Sequence, residues 1–325
     1  MASGRALAID SRHVDLIFGK DAGVFDQTYS LPEGSILGVI GPSGCGKTTT
    51  VRLALGLLRP QRGSLTVLGR SPADFRAADR ERIGYIPQQF VLYPNLTVTE
   101  NAQFVASLYG MRSARFRQRL EQLLAFVDLA EARDRLGKQL SGGMQRRLML
   151  AGALMHDPAL LFADEPTAGI DPVLRARFWE YFRQLRDQGR TLFVTTQYVG
   201  EATYCDYVAV MRKGRLLAID TPAGLRKRTL GGEIVHLWLQ DPARAGEAIE
   251  LLARYQPVQD ARRVPGTDNQ LHVTVEDAGA WLPELLSLLG DPGGPNIVVD
   301  SAEEYQISYD DIFIKIMEQE DARHA

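Results

Sequence analysis

Ten residues constrain this chain more than any others. GPSGCGKTTT, residues 41–50, follows the apolar run Ile36–Ile40 and precedes the helix-like stretch VRLALGLL. From Gly41 to Thr48 the spacing is G-x-x-x-x-G-K-[ST], which acquires a physical meaning when strand, loop and helix come in that order. Gly41, Gly44 and Gly46 let the backbone curl so that its N–H groups point inward, with Pro42, Ser43 and Cys45 between them. Thr48 and Thr49 open the helix, whose N-terminus favours negative charge. Lys47 should reach the β- and γ-phosphates of a bound nucleotide, and Thr48 should ligate Mg²⁺. A chance glycine-rich turn would lack both flanks.

Strand-like runs at 14–18, 36–40, 159–163 and 192–196 alternate with helical spacing at 148–155 and 174–186, which predicts a largely parallel α/β sheet. The helical block at 98–150 interrupts that alternation and reads as an inserted subdomain of about residues 90–154, leaving a core of 1–89 and 155–230. After the Gly231-Gly232 pair the pattern restarts, with strand-like runs at 233–240, 269–275 and 296–301 and helices at 243–255, 278–289 and 309–318. Residues 231–325 are therefore expected to form a small α+β domain of ferredoxin-like order. Charge supports the division: 31 Lys+Arg against 22 Asp+Glu before residue 231, and 6 against 18 after it. The basic part would suit a polyanion, or is simply a solvated face. Two cysteines fit neither a disulfide framework nor a zinc site and point to a reducing cytoplasm. No apolar run is long enough to span a bilayer, and MASGRALAID has no apolar export core.

A second strand, ALLFADEPT (159–167), carries Asp164 and Glu165 to the carboxyl edge of the sheet. Alone, such a pair is more often a turn; beside a phosphate loop, Asp164 is suited to hold Mg²⁺ and Glu165 to polarise water. LSGGMQ (140–145) places Ser141, Gly142 and Gly143 before a helix, which could be an ordinary serine cap. The order of phosphate loop, LSGGMQ and acidic strand resembles that of the ATP-binding cassette (ABC) ATPases, a likeness running from about residue 5 to 230. The resemblance implies that Ser141, Gly142 and Gly143 of one subunit close on ATP held by the other, in a head-to-tail dimer.

Further positions follow from the resemblance. Phe18 in DLIFGK is similar to the aromatic that stacks on adenine, or is a core phenylalanine. Gln88 in IGYIPQQF resembles the Q-loop contact to metal and water, in preference to Gln89, and Asp171 in AGID resembles the D-loop. His156 reads as a helix-end residue rather than a catalyst. The family places a histidine after the strand that follows the D-loop helix; in TLFVTTQYVGEA (191–202) that position is Gln197, and none of the five histidines lies nearby. Glutamine can donate a hydrogen bond to phosphate but carries no positive charge, so hydrolysis is expected to be slowed rather than abolished.

The segments at 141–172 and 204–226 resemble ATPase subunits of drug, lipid, polysaccharide and sodium exporters whose permease is a separate chain. ISYDDIFIKIME (307–318) is similar to their C-terminal segment. The resemblance implies a permease partner, a second ATPase subunit that is either another copy of this chain or a different one, attachment to the cytoplasmic side of the membrane and no nucleic acid partner. MRSARFRQRLE (111–121), with four arginines, reads as a solvated helix face or a contact to anionic lipid. The alternatives are a soluble ABC ATPase acting on ribosomes or DNA, and a nearly inactive clamp gated by ATP binding.

Overall fold

The apolar runs flanking the glycine-rich loop lie in the middle of a six-stranded sheet. In the computed structural model, which describes residues 6–19, 22–89, 92–305 and 308–324, its order is Ile83–Ile86, Leu160–Asp164, Thr191–Thr196, Ile36–Ile40, Tyr207–Arg212 and Arg215–Asp220. The first five strands are parallel and the last is antiparallel. Ile36–Ile40, Leu160–Asp164 and Thr191–Thr196 are buried at every position, as parallel strands covered on both faces must be. Phe162 and Phe193, on neighbouring strands, pack with ring centroids 5.4 Å apart.

A second, antiparallel sheet has the order Ala22–Pro32, Leu7–Gly19, Arg62–Val67. Here the structure corrects the strand-like run at 14–18, which is part of a longer strand paired with a second one. Repeated register shifts between the first two strands break the period-two alternation on which such a reading depends.

Helices Val98–Leu108, Ser113–Phe126 and Gly142–Ala153 follow one another in the inserted block. The first opens with a reciprocal cap: Glu100 N–H donates to Thr97 Oγ1 at 3.1 Å, and Thr97 N–H to Glu100 Oε2 at 2.7 Å. The second buries Phe116, Leu120, Leu123 and Leu124, one stripe at helical spacing. The third starts six residues before the apolar spacing begins, because its first turns carry the polar Gln145, Arg146 and Arg147.

The chain divides into two compact units, 1–221 and 222–325. Helix Pro222–Leu230, placed by the sequence reading with the first domain, thus belongs to the second. In that unit strands Glu233–Leu239, Val258–Arg263, Gln270–Val275 and Val299–Tyr305 form one antiparallel sheet, with spatial order second, third, first, fourth. With helices Ala245–Ala253 and Ala278–Leu289 in the crossovers, this is the βαββαβ ferredoxin-like arrangement. Its core gathers Val235, Leu237, Leu252, Leu271, Val273 and Leu285. Ile307, which opens the likeness to the exporters' terminal segment, lies outside the described residues; helix Tyr309–His324 follows it and buries Ile312 and Ile316.

Candidate functional site

The loop 41–46 turns where only glycine fits. A Cβ on Gly41 would collide with the Met211 carbonyl, and Gly46, at φ 110°, caps helix Lys47–Ala54 in the left-handed region. Lys47 is buried, and its ammonium donates to the carbonyls of Gly41 at 2.8 Å and Pro42 at 3.1 Å. The same nitrogen lies 3.1 Å from Glu165 Oε1. Thr48 and Thr49 are half-buried, while Pro42, Ser43 and Gly44 are exposed at the rim. Burial pushes the Cys45 thiol up, so this cysteine acts as a small neutral packing group.

Glu165 follows strand Leu160–Asp164 in the left-handed region, φ 48°, which costs about 1 kcal/mol or more for a non-glycine residue. Thr195, on the adjacent strand, stabilises that turn. Its hydroxyl donates to Asp164 Oδ1 at 2.6 Å and accepts the Glu165 N–H at 3.0 Å. Asp164 is 1% exposed, and its Oδ2 has no hydrogen-bond partner.

Two glutamines converge here from different loops. Gln88 Nε2 donates to Glu165 Oε2 at 3.0 Å, whereas no such bond is made by Gln89. Gln197, exposed at the carboxyl end of Thr191–Thr196, accepts from Ser43 Oγ at 3.3 Å. Phe90 of the same Q-loop segment as Gln88 lies outside the described residues. Phe18 is 60% exposed, which excludes the core-phenylalanine reading.

Ser141 caps helix Gly142–Ala153, accepting the Met144 N–H at 3.3 Å, and with Gly142 is exposed. Asp171 caps helix Pro172–Asp187 through the Leu174 N–H at 2.9 Å, so the ordinary capping role holds for both residues. Arg146, one turn into the helix that follows Ser141, donates to the Gln88 carbonyl at 3.4 Å and the Ala168 carbonyl at 3.0 Å. It ties Gln88 and the AGID turn to the LSGGMQ helix.

Residues 24–168 match the family model described as ABC transporter. The chain is 38% identical over 324 residues to the daunorubicin/doxorubicin resistance ATP-binding protein DrrA of Streptomyces peucetius, covering 93% of this chain and 98% of DrrA. The chain belongs to the ABC transporter ATP-binding family. It is also 35% identical over 225 residues to the probable multidrug ABC transporter ATP-binding protein YbhF of Escherichia coli, covering 69% of this chain but 39% of YbhF, so it spans well under half of that relative. A solved ATP-binding subunit of an ABC transporter superposes with TM-score 0.61 at 27% identity, covering 68% of this chain and 92% of that one. As an ABC ATPase, the chain binds ATP.

Thr195 and Arg146 escaped the sequence reading. Thr195 looked like any β-branched residue of a buried strand; its place two residues before Gln197 was the available signal. Arg146 stood in a run of two arginines with nothing to mark which one turns inward. The divalent ion implied by the family fits the donors present. Asp164 offers a buried, unpartnered carboxylate oxygen, and the Thr48 hydroxyl and Gln88 amide add neutral oxygens. No cluster of three His, Cys, Asp or Glu that could cage a metal occurs among the described residues. Mg²⁺ suits such a set, because it keeps waters and phosphate oxygens in its shell.

Beside the site, an apolar groove of about 560 Å³ runs between the core and the inserted helices, lined by Leu55, Leu57, Tyr85, Val105, Met149 and Ala153 among others. His156 lies at its edge, stacked on Tyr109 at 3.8 Å, and its Nε2 is 2.9 Å from the Ile83 carbonyl. A carbonyl only accepts, so Nε2 carries the proton. The residue is structural, as expected, and takes no part in the phosphate site.

Proposed function

We propose that the chain is the ATP-hydrolysing subunit of an exporter whose membrane-spanning permease is a separate protein, peripheral on the cytoplasmic side of the membrane. The observation that carries this reading is Glu165, held by Lys47 on one oxygen and Gln88 on the other, beside the phosphate loop. The drug-resistance and multidrug relatives support the export class. No helix among the described residues is long and apolar enough to cross a membrane, so the lipid-spanning part is assigned to a partner.

ATP lies with its phosphates against the loop N–H groups of residues 43–46 and its adenine over Phe18. Lys47 moves from the Gly41 and Pro42 carbonyls to the β- and γ-phosphates, which releases one oxygen of Glu165. Glu165 then accepts a proton from the attacking water, and Gln88 orients that water. Mg²⁺, held by Thr48, Gln88 and Asp164, would neutralise charge on the phosphate oxygens. Gln197 donates its amide to the γ-phosphate where a histidine would supply a charge-assisted bond. That loss slows the reaction about tenfold or more. Two copies pair head to tail, so that Ser141, Gly142 and Gly143 of each cap the nucleotide of the other, with Asp171 at the junction. Closure of this pair pulls on the permease segment seated in the apolar groove.

Measured ATP turnover of the purified chain, beside Glu165→Gln, tests the proposal. A general base contributes about 10²–10⁴-fold, so the variant should fall by at least about a hundredfold while still binding ATP. Equal, near-zero turnover in both would favour the second reading, an ATP-gated clamp, which the uncharged Gln197 motivates.

A further inference from the structure

A second recess, of about 440 Å³, adjoins the apolar groove and shares Tyr109 and His156 with it. Three arginines line it: Arg82, just before strand Ile83–Ile86, and Arg112 and Arg115, at the start of helix Ser113–Phe126. All three side chains are exposed, and none pairs with a carboxylate among the described residues. Their neighbours behave differently. Arg119 and Arg190 both reach Asp157, at 3.0 and 2.8 Å, and Arg133 pairs with Glu121 at 2.7 Å. The single acid lining the recess, Glu81, bonds to none of the three. Its floor adds no charge, because burial lowers the His156 imidazole below its ordinary value and Nε2 is committed to a carbonyl.

One unpaired arginine on an open surface is simply solvated. Three that line one walled recess, two from the start of a helix and one from before a strand, repel one another, and they present forked donors that match carboxylates. The recess lies next to the apolar groove, with the stacked pair of Tyr109 and His156 lining both. A segment lying along the groove therefore reaches the arginines as it leaves it.

We propose that this recess seats acidic side chains of the permease: the segment filling the apolar groove carries aspartate or glutamate at the end that passes over Tyr109 and His156, and these pair with Arg82, Arg112 and Arg115. The inference rests on the reading of the groove given above and specifies the chemistry of its occupant. The arginines give register and encounter rate, and the groove gives the apolar contact.

The test uses the full chain in membranes of cells that produce it, with a photo-crosslinking residue at Leu57, an exposed wall of the groove. Mass spectrometry should locate the crosslink in a cytoplasmic segment of a multi-span protein, with Asp or Glu nearby. In Arg82→Glu/Arg112→Glu/Arg115→Glu the yield should drop about tenfold or more, and changing the partner's acids to lysine should restore it. The milder Arg112→Gln/Arg115→Gln should give an intermediate drop. ATP turnover of the purified variants should stay at the wild-type level, since none of these residues touches the phosphate site. An undiminished crosslink in the charge-reversed chain overturns the inference and leaves the groove reading standing. No crosslink to a membrane protein in the unaltered chain overturns both. Wild-type binding to vesicles of phosphatidylglycerol and phosphatidylcholine that the triple variant loses, with crosslinking unaffected, would assign the recess to lipid phosphate and overturn the inference.

Discussion

Replacing Thr195 by valine removes one oxygen and keeps the volume and β-branching of a buried strand residue. That oxygen is the hydrogen-bond partner of Asp164 Oδ1 at 2.6 Å, and it also accepts the Glu165 N–H at 3.0 Å. Asp164 Oδ2 is already unpartnered, so in Thr195→Val a carboxylate 1% exposed keeps no donor from this strand. A hydrogen bond to a charged group is worth about 1.5–3 kcal/mol, and an orphaned buried acceptor adds its own desolvation cost. The Glu165 N–H retains a second acceptor, the Thr195 carbonyl at 3.1 Å, so the loss falls mainly on Asp164. The sum is about 2–3 kcal/mol, or about 5–10 °C in Tm for a unit of this size. Glu165, in a left-handed conformation that this hydroxyl stabilises, should lose its alignment, and turnover should fall about tenfold. Thr195→Ser is the control: it keeps both bonds and loses only a methyl, for about 1 kcal/mol. Thermal melts and steady-state ATP turnover of the three proteins decide the matter. A valine variant as stable and as fast as the serine variant would refute the argument.

Gln197→His should raise turnover about tenfold in the purified chain, read by phosphate release; no change or a loss would show that the amide is already an adequate substitute. Asn101→Ala should cost about 2–3 kcal/mol in a urea melt, because the buried Asn101 accepts from Tyr93 N–H at 2.8 Å and donates to the carbonyls of Tyr93, Leu96 and Thr97. In the second unit, burial above all, then His236, Arg262 and Lys315, lowers His272 from its ordinary 6.5 to about 4. A lowered histidine leaves folding unpenalised above pH 6.5, and stability falls as acid protonates the unfolded chain between about pH 6.5 and 4. Urea midpoints of the full chain at pH 7 and 5 should show that fall, and His272→Asn should lessen it.

The parallel strands were legible because they are apolar throughout and end in chemistry: the glycine loop after Ile36–Ile40, Asp164 and Glu165 after their strand, Gln197 after Thr191–Thr196. Strand Val258–Arg263 was not, since VQDARR is an edge strand with five of its six residues at least partly exposed and no alternation to read. Gln197 could be placed by order along the chain, but its contact with Ser43 depends on the parallel pairing of Ile36–Ile40 with Thr191–Thr196, which are far apart in sequence. Thr195 illustrates a deeper limit. Its methyl satisfies the strand pattern so well that only its place two residues before Gln197 hints at the work of its hydroxyl.

Helix Gly142–Ala153 has a mechanical consequence. Its twelve residues make a rod about 18 Å long, with the LSGGMQ turn at one end and Met149, Gly152 and Ala153 on the groove wall at the other. Arg146 pins the rod near its first end, to the Gln88 and Ala168 carbonyls. It therefore works as a lever with its fulcrum close to the input. The arm from Arg146 to Ala153 is about 10 Å, so a tilt of about 10° swings its far tip by about 2 Å. A displacement too small to rebuild the phosphate site is thus large enough, at the groove, to move whatever sits there by a full contact.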